Sequence, residues 1–106
     1  RKTHSVYVVE LAEEVRTEAG VLRRHPAADP SLPCVYVGQT GKSPEKRLAD
    51  HKRGRHASKW VKTWGINLMP ELYERFNPLT ELESLDMERA LAASLRKNGY
   101  IVFGGH

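Results

Sequence analysis

A chain of 106 residues with 40% apolar side chains fills one modest core, is too apolar for a disordered tail and is too short for two domains, so residues 1–106 are expected to form one domain. Its single cysteine, Cys34, excludes an intramolecular disulfide and a multi-cysteine metal site; no apolar run approaches the roughly 18 residues of a membrane span and none reads as a secretory leader, so the expected location is cytoplasmic. The net charge of +4 is unevenly placed: residues 42–62 hold eight basic side chains (Lys42, Lys46, Arg47, Lys52, Arg53, Arg55, Lys59, Lys62) against Glu45 and Asp50, or +6, which leaves −2 for the rest.

Val6-Tyr7-Val8-Val9-Glu10-Leu11 is rich in β-branched and aromatic residues and predicts a first strand. Residues 12–24 contain more helix formers, but Gly20 limits any helix there to a short one. Pro26, Pro30 and Pro33, with Asp29 and Ser31, make 25–33 a loop. Cys34-Val35-Tyr36-Val37 predicts a second strand that stops at Gly38, with 38–42 as a turn. Ser43 before Pro44 supplies an N-cap and a first-turn proline, so a helix is expected from there to about Arg53, ended by Gly54. A further helix is expected over 56–64, with Trp60 and Trp64 one turn apart on a core-facing side rather than as base-stacking platforms. Ile66-Asn67-Leu68-Met69 alternates and reads as a short strand. Thr80-Glu81-Leu82-Glu83 matches a capping box, and the helix it opens should reach Lys97 or Asn98, with Gly99 as its stop. Tyr100-Ile101-Val102-Phe103 is available as a terminal strand, and Gly104-Gly105-His106 reads as the tail of a trimmed chain, with His106 a tag remnant. The expected fold class is α+β, a small central antiparallel sheet of about three strands flanked by helices.

Two helical arrangements point to chemistry. On a wheel of about 100° per residue, Leu85, Leu91, Ala92 and Leu95 all fall within about 60° of Glu88, while Glu83 and Asp86 fall on the far side. A carboxylate in the middle of an apolar arc is costly unless it is paired or binds a cation. An ion pair to a core-facing arginine and a glutamate at the wet mouth of a groove both satisfy that condition. On the Ser43 helix, Arg47 and His51 are four apart and share a face. Arginine donates two parallel hydrogen bonds to a phosphate, and histidine exchanges a proton near neutral pH.

Tyr36-Val37-Gly38 at a strand end, then Thr40, then Arg47-Leu48 and His51 on the next helix, resemble the second half of the GIY-YIG nuclease signature. Ser5-Val6-Tyr7 is similar to the first half, and Glu88 falls where that family places its metal-binding glutamate. The resemblance spans nearly the whole chain. Ser5 departs from the first motif's glycine, Val6 and Val37 replace isoleucines, and the segment 12–33 is an insertion longer than the family's hairpin connection. That insertion is expected to pack beside the sheet, where Arg23, Arg24 and His25 would add to a nucleic-acid surface. Asn98 lies too near the helix end to be equated with the asparagine that braces the site in many members.

The resemblance implies a nuclease, most simply an endonuclease, that hydrolyses phosphodiester bonds with one Mg²⁺ or Mn²⁺ held by Glu88. Tyr7, Tyr36, Arg47, His51 and Glu88 would be its catalytic residues. Arg47 would contact a non-bridging oxygen, Tyr7 would activate the attacking water with Tyr36 beside it, and His51 would share or take over that proton transfer; the sequence leaves the choice between Tyr7 and His51 open. Lys42, Lys46, Lys52, Arg53, Arg55, Lys59 and Lys62 would bind nucleic acid, DNA before RNA, through its phosphates. Gly38 would allow close backbone approach or simply make the turn. A separate domain or an oligomer would supply targeting. The alternative is a module that keeps the fold and binds nucleic acid without cutting it.

Overall fold

The computed structural model describes residues 1–105; His106, read above as a tag remnant, lies outside the described residues. Strands Ser5–Leu11 (β1), Cys34–Thr40 (β2), Gly65–Leu68 (β3) and Ile101–Gly104 (β4) form one sheet in the order β3-β1-β2-β4. Helices Val21–Arg24 (α1), Pro44–Lys52 (α2), Lys59–Trp64 (α3) and Glu81–Lys97 (α4) surround it. The class is α+β, but the expected three-stranded antiparallel sheet is corrected in two respects: the sheet has four strands, and β4 runs parallel to β2. A parallel neighbour needs a crossover connection rather than a hairpin. α4, the 17-residue helix that packs along β2 and β4, completes that crossover and returns the chain to the free edge of β2.

β1 is an inner strand, and Val6, Tyr7, Val8 and Val9 are all buried, which explains its unbroken apolar run. β2 continues three residues beyond the expected stop. Gly38, Gln39 and Thr40 pair with Tyr7, Val6 and Ser5 rather than forming a turn. Conversely, α3 starts at Lys59 and not at His56. His56 has φ of 48°, in the left-handed region that a helix excludes, and Ser58 caps α3 by accepting the amide proton of Trp60 at 3.2 Å. The capping box of α4 is complete: Thr80 Oγ accepts from the Glu83 amide at 3.1 Å, and the Glu83 carboxylate accepts from the Thr80 amide at 2.9 Å.

The segment 12–33, expected from the resemblance to be an insertion, folds against the sheet. It forms a 3-10 turn at Glu13–Thr17 followed by α1, and it buries Val15 and Val21. His25 ties it to β4, donating from Nδ1 to the Val21 carbonyl at 2.8 Å and accepting at Nε2 from the Val102 amide at 3.4 Å. Trp60 and Trp64 pack against the core while remaining partly exposed, and Trp60 lies 4.4 Å from the Phe103 ring, centroid to centroid. Gly104 and Gly105 are not a loose tail. A side chain on Gly104 would run into the Tyr36 ring at 2.8 Å, and one on Gly105 would run into Ala92 of α4. The glycine pair lets the end of β4 fit between Tyr36 and α4. No helix among the described residues is long and apolar enough to cross a membrane.

Candidate active site

The site is assembled on β1, β2 and α2. Tyr7 of β1 pairs with Gly38 of β2, so both lie on one face, and Tyr36, two residues before Gly38, lies on that face too. α2 sets His51 against both rings, with centroids 6.1 Å from Tyr7 and 5.7 Å from Tyr36; the two tyrosine rings are 6.4 Å apart. Gly38 makes this packing feasible. A Cβ there would stand 2.5 Å from Tyr7 Oη and 2.6 Å from its Cζ, so the tyrosine tip occupies the space of the missing side chain.

Hydrogen bonds fix the histidine's protons. The Ser58 amide donates to His51 Nδ1 at 3.1 Å. A backbone N–H only donates, so Nδ1 is unprotonated and the proton of the neutral ring sits on Nε2. Nε2–H therefore donates to Tyr7 Oη at 2.8 Å. Burial, reinforced by the charge of Arg47 and only partly opposed by Asp50, lowers the His51 pKa to about 4, so the ring is neutral at physiological pH.

The two tyrosines differ in access. Tyr7 is 1% exposed, whereas Tyr36 is half-buried and lines an open cleft of about 400 Å³ together with Arg47, His51, His56, Lys59 and Trp60. Burial is the main cause that raises both phenol pKa values. For Tyr7, the charge of Tyr36 adds to it, Arg47 opposes, and Glu88 adds further. For Tyr36, Glu88 is the second cause, while the Ser58 hydroxyl and Arg47 act in the opposite direction. Glu88 is thus within electrostatic reach of both hydroxyls from the buried face of α4, where it is 8% exposed.

Arg47 is held beside these groups by the loop after α2, donating to the carbonyls of Arg55 at 3.1 Å and His56 at 2.8 Å. The other basic residues are spread more widely than their sequence positions suggest. Asp50 accepts from Lys42 at 2.6 Å and from Arg53 at 2.9 Å, and these two bonds bring its pKa down to about 2. Lys52 donates to the Ile66 carbonyl at 3.0 Å. Lys46, Arg55, Lys59 and Lys62 are exposed, and Lys59 also lies 4.7 Å from the Trp60 ring centroid. Asn98 is an exposed C-cap of α4.

Ser58, Asp50 and the pair Gly104-Gly105 belong to this region and were not singled out from the sequence. Asp50 had a legible signal, as one of only two acids within the basic run and the neighbour of His51. Among the described residues no group of three or more His, Cys, Asp or Glu side chains is arranged to hold a metal. A divalent ion here would rest on one carboxylate, Glu88, completed by water and phosphate oxygens. That donor set suits Mg²⁺ or Mn²⁺ and not a structural zinc.

Comparison with protein-family models, with characterised proteins and with solved structures gives no match.

Proposed function

We propose that this chain is a divalent-metal-dependent nuclease of the GIY-YIG kind, an endonuclease that hydrolyses phosphodiester bonds in nucleic acid, DNA before RNA. The observation that carries the reading is the convergence of Tyr36, His51 and Arg47 on one open cleft with the Tyr7 ring buried directly behind them, and the charge of Glu88 acting on both phenols. These residues come from four separate parts of the sequence, β1, β2, α2 and α4, and each has a place in a phosphodiester-cleaving site.

Arg47 has a guanidinium on the cleft wall, where it can donate to a non-bridging phosphate oxygen and stabilise the charge that builds on the phosphorane. Tyr36 is the phenol that opens on the cleft, so we assign to it the activation of the attacking water, which the resemblance implied for Tyr7 and left open between Tyr7 and His51. Tyr7, buried behind it, shapes and orients that phenol. His51 is not poised to remove a proton: Nδ1 is occupied by an amide and Nε2 already carries hydrogen, so it serves as a fixed donor to Tyr7. Glu88 is the residue to hold the Mg²⁺ or Mn²⁺, and the ion when bound would neutralise phosphate charge and assist the leaving oxygen.

The test is incubation of the protein with labelled duplex, single-stranded and branched DNA and with RNA, in Mg²⁺ or Mn²⁺ against chelator. Metal-dependent cleavage of any member supports the reading; no cleavage of any substrate sinks it. The competing reading, a nucleic-acid-binding module without catalysis, draws on one observation, the burial and the Glu88 charge that disfavour ionisation of Tyr36, the phenol assigned to the water. It predicts salt-sensitive binding that is indifferent to metal.

A further inference from the structure

We propose that the insertion and the end of α4 extend the candidate active site into a groove across the domain, which seats the phosphodiester backbone of a nucleic-acid strand on both sides of Tyr36 and His51. The inference rests on the nucleic-acid reading above and adds where the strand runs.

Three open clefts share their walls. The cleft of about 400 Å³ at Tyr36 and His51 shares Arg47 and His56 with a cleft of about 490 Å³ that contains Lys42, Asp50 and Arg55. On its other side it shares Trp60 and Gly104 with a cleft of about 370 Å³ that contains Arg24, His25 and Arg96. The candidate active site is therefore the middle of three adjoining clefts, each of ordinary ligand-pocket size.

The lining charge matches a polyanion. Six cationic side chains, Arg24, Lys42, Arg47, Arg55, Lys59 and Arg96, line the three clefts against a single carboxylate, Asp50. That carboxylate is already engaged by Lys42 and Arg53. Arg24, Arg55, Lys59 and Arg96 are exposed, and none of them is a partner of Glu13, Asp50 or Glu83. Exposed cations strung along a groove on both sides of a phosphate-directed arginine are the arrangement that tracks a phosphate backbone. The sequence placed most of the binding surface at 42–62, added Arg23, Arg24 and His25 to it, and left Arg96 out. The fold diverts Lys42 and Arg53 toward Asp50 and brings Arg24 from the insertion and Arg96 from α4 to the opposite end.

The test is fluorescence anisotropy of labelled single-stranded and duplex 20-mers, in chelator so that only binding is read, over a range of salt. Arg24→Ala/Arg96→Ala is compared with wild type, with the charge-keeping Arg24→Lys/Arg96→Lys, and with Arg89→Ala, which removes an exposed cation of α4 outside the three clefts. The alanine pair is expected to weaken binding about tenfold or more and to lower the slope of log Kd against log salt by about two, the loss of two phosphate contacts. The lysine pair should restore most of that slope, which separates lost charge from misfolding, and Arg89→Ala should leave it near wild type. Whichever probe shows the larger effect identifies the strand or the duplex as occupant. An alanine pair that binds like wild type or like Arg89→Ala overturns the groove. So does a wild-type protein that binds neither probe at low salt, or one that polyglutamate competes for as well as DNA does. Cleavage does not enter this measurement. Binding as expected without cutting leaves the groove standing and removes the nuclease reading, whereas cutting with an unaffected alanine pair does the reverse.

Discussion

Replacing Gly38 with alanine tests how the candidate site is built. In an extended strand this change ordinarily stabilises by about 0.4–1 kcal/mol, because alanine has less freedom to lose on folding. Here the new Cβ would stand 2.5 Å from Tyr7 Oη, 2.6 Å from Cζ and 3.0 Å from Cε1, so the ring tip must retreat by about 1 Å to reach ordinary van der Waals contact. A retreat of that size stretches the 2.8 Å bond from His51 Nε2 beyond hydrogen-bonding distance. Losing the bond costs about 1 kcal/mol and forcing the overpacked ring aside about 1–3 kcal/mol, which the entropic gain only partly offsets, so a net loss of roughly 1–3.5 kcal/mol is expected. The displaced tyrosine should also slow cleavage by about 10²-fold. Urea denaturation and single-turnover cleavage read the two effects separately. Tyr7→Leu/Gly38→Ala, which shortens the obstructing side chain, should be less destabilised than the sum of its single changes. A Gly38→Ala protein as stable as wild type, with wild-type cleavage, would refute the packing argument.

Tyr36→Phe should reduce single-turnover cleavage by about 10²–10⁴-fold and Tyr7→Phe by markedly less, because Tyr36 opens on the cleft and Tyr7 does not; the opposite order would return water activation to Tyr7. For His51 the folded pKa, about 4, lies below its ordinary 6.5, so the unfolded chain takes up the proton first as pH falls. Its contribution is complete above about pH 6.5 and drains away toward pH 4, on the order of 3 kcal/mol in all; denaturation midpoints across that range should fall for wild type and flatten for His51→Gln. Asp50→Asn should release Lys42 and Arg53 from their shared carboxylate, lowering the thermal midpoint while tightening nucleic-acid binding at low salt and steepening its salt dependence. Because the Asp50 pKa is depressed to about 2, the stability it adds is present above about pH 4 and is lost as pH falls toward 2.

Features encoded by neighbouring residues were legible in the sequence. The Val6–Val9 run, the Ser43-Pro44 helix start and the Thr80-Glu83 box all specify their elements through contacts within a few residues. The grouping of Tyr7, Tyr36, Arg47 and His51 was legible through motif order, and the buried setting of Glu88 through helical period. Features set by distant partners were not. Gly38 reads locally as a stop, yet it remains in β2 because Tyr7 across the ladder fills its empty side. β4 reads as a strand, but only the path of α4 makes it parallel to β2. The proton positions on His51 depend on the amide of Ser58, seven residues away. The effective charge of the basic run depends on Asp50, which a simple count treats as one unit of charge.

The most direct test of the account is Glu88→Gln, which keeps the shape of the side chain and removes its charge. Cleavage in Mg²⁺ or Mn²⁺ and binding in chelator should be measured on the same preparation, with its melting transition as a check on folding. The account predicts a folded protein that binds nucleic acid like wild type and has lost metal-dependent cleavage. A Glu88→Gln protein that still cleaves at the wild-type rate with the same metal requirement would contradict it.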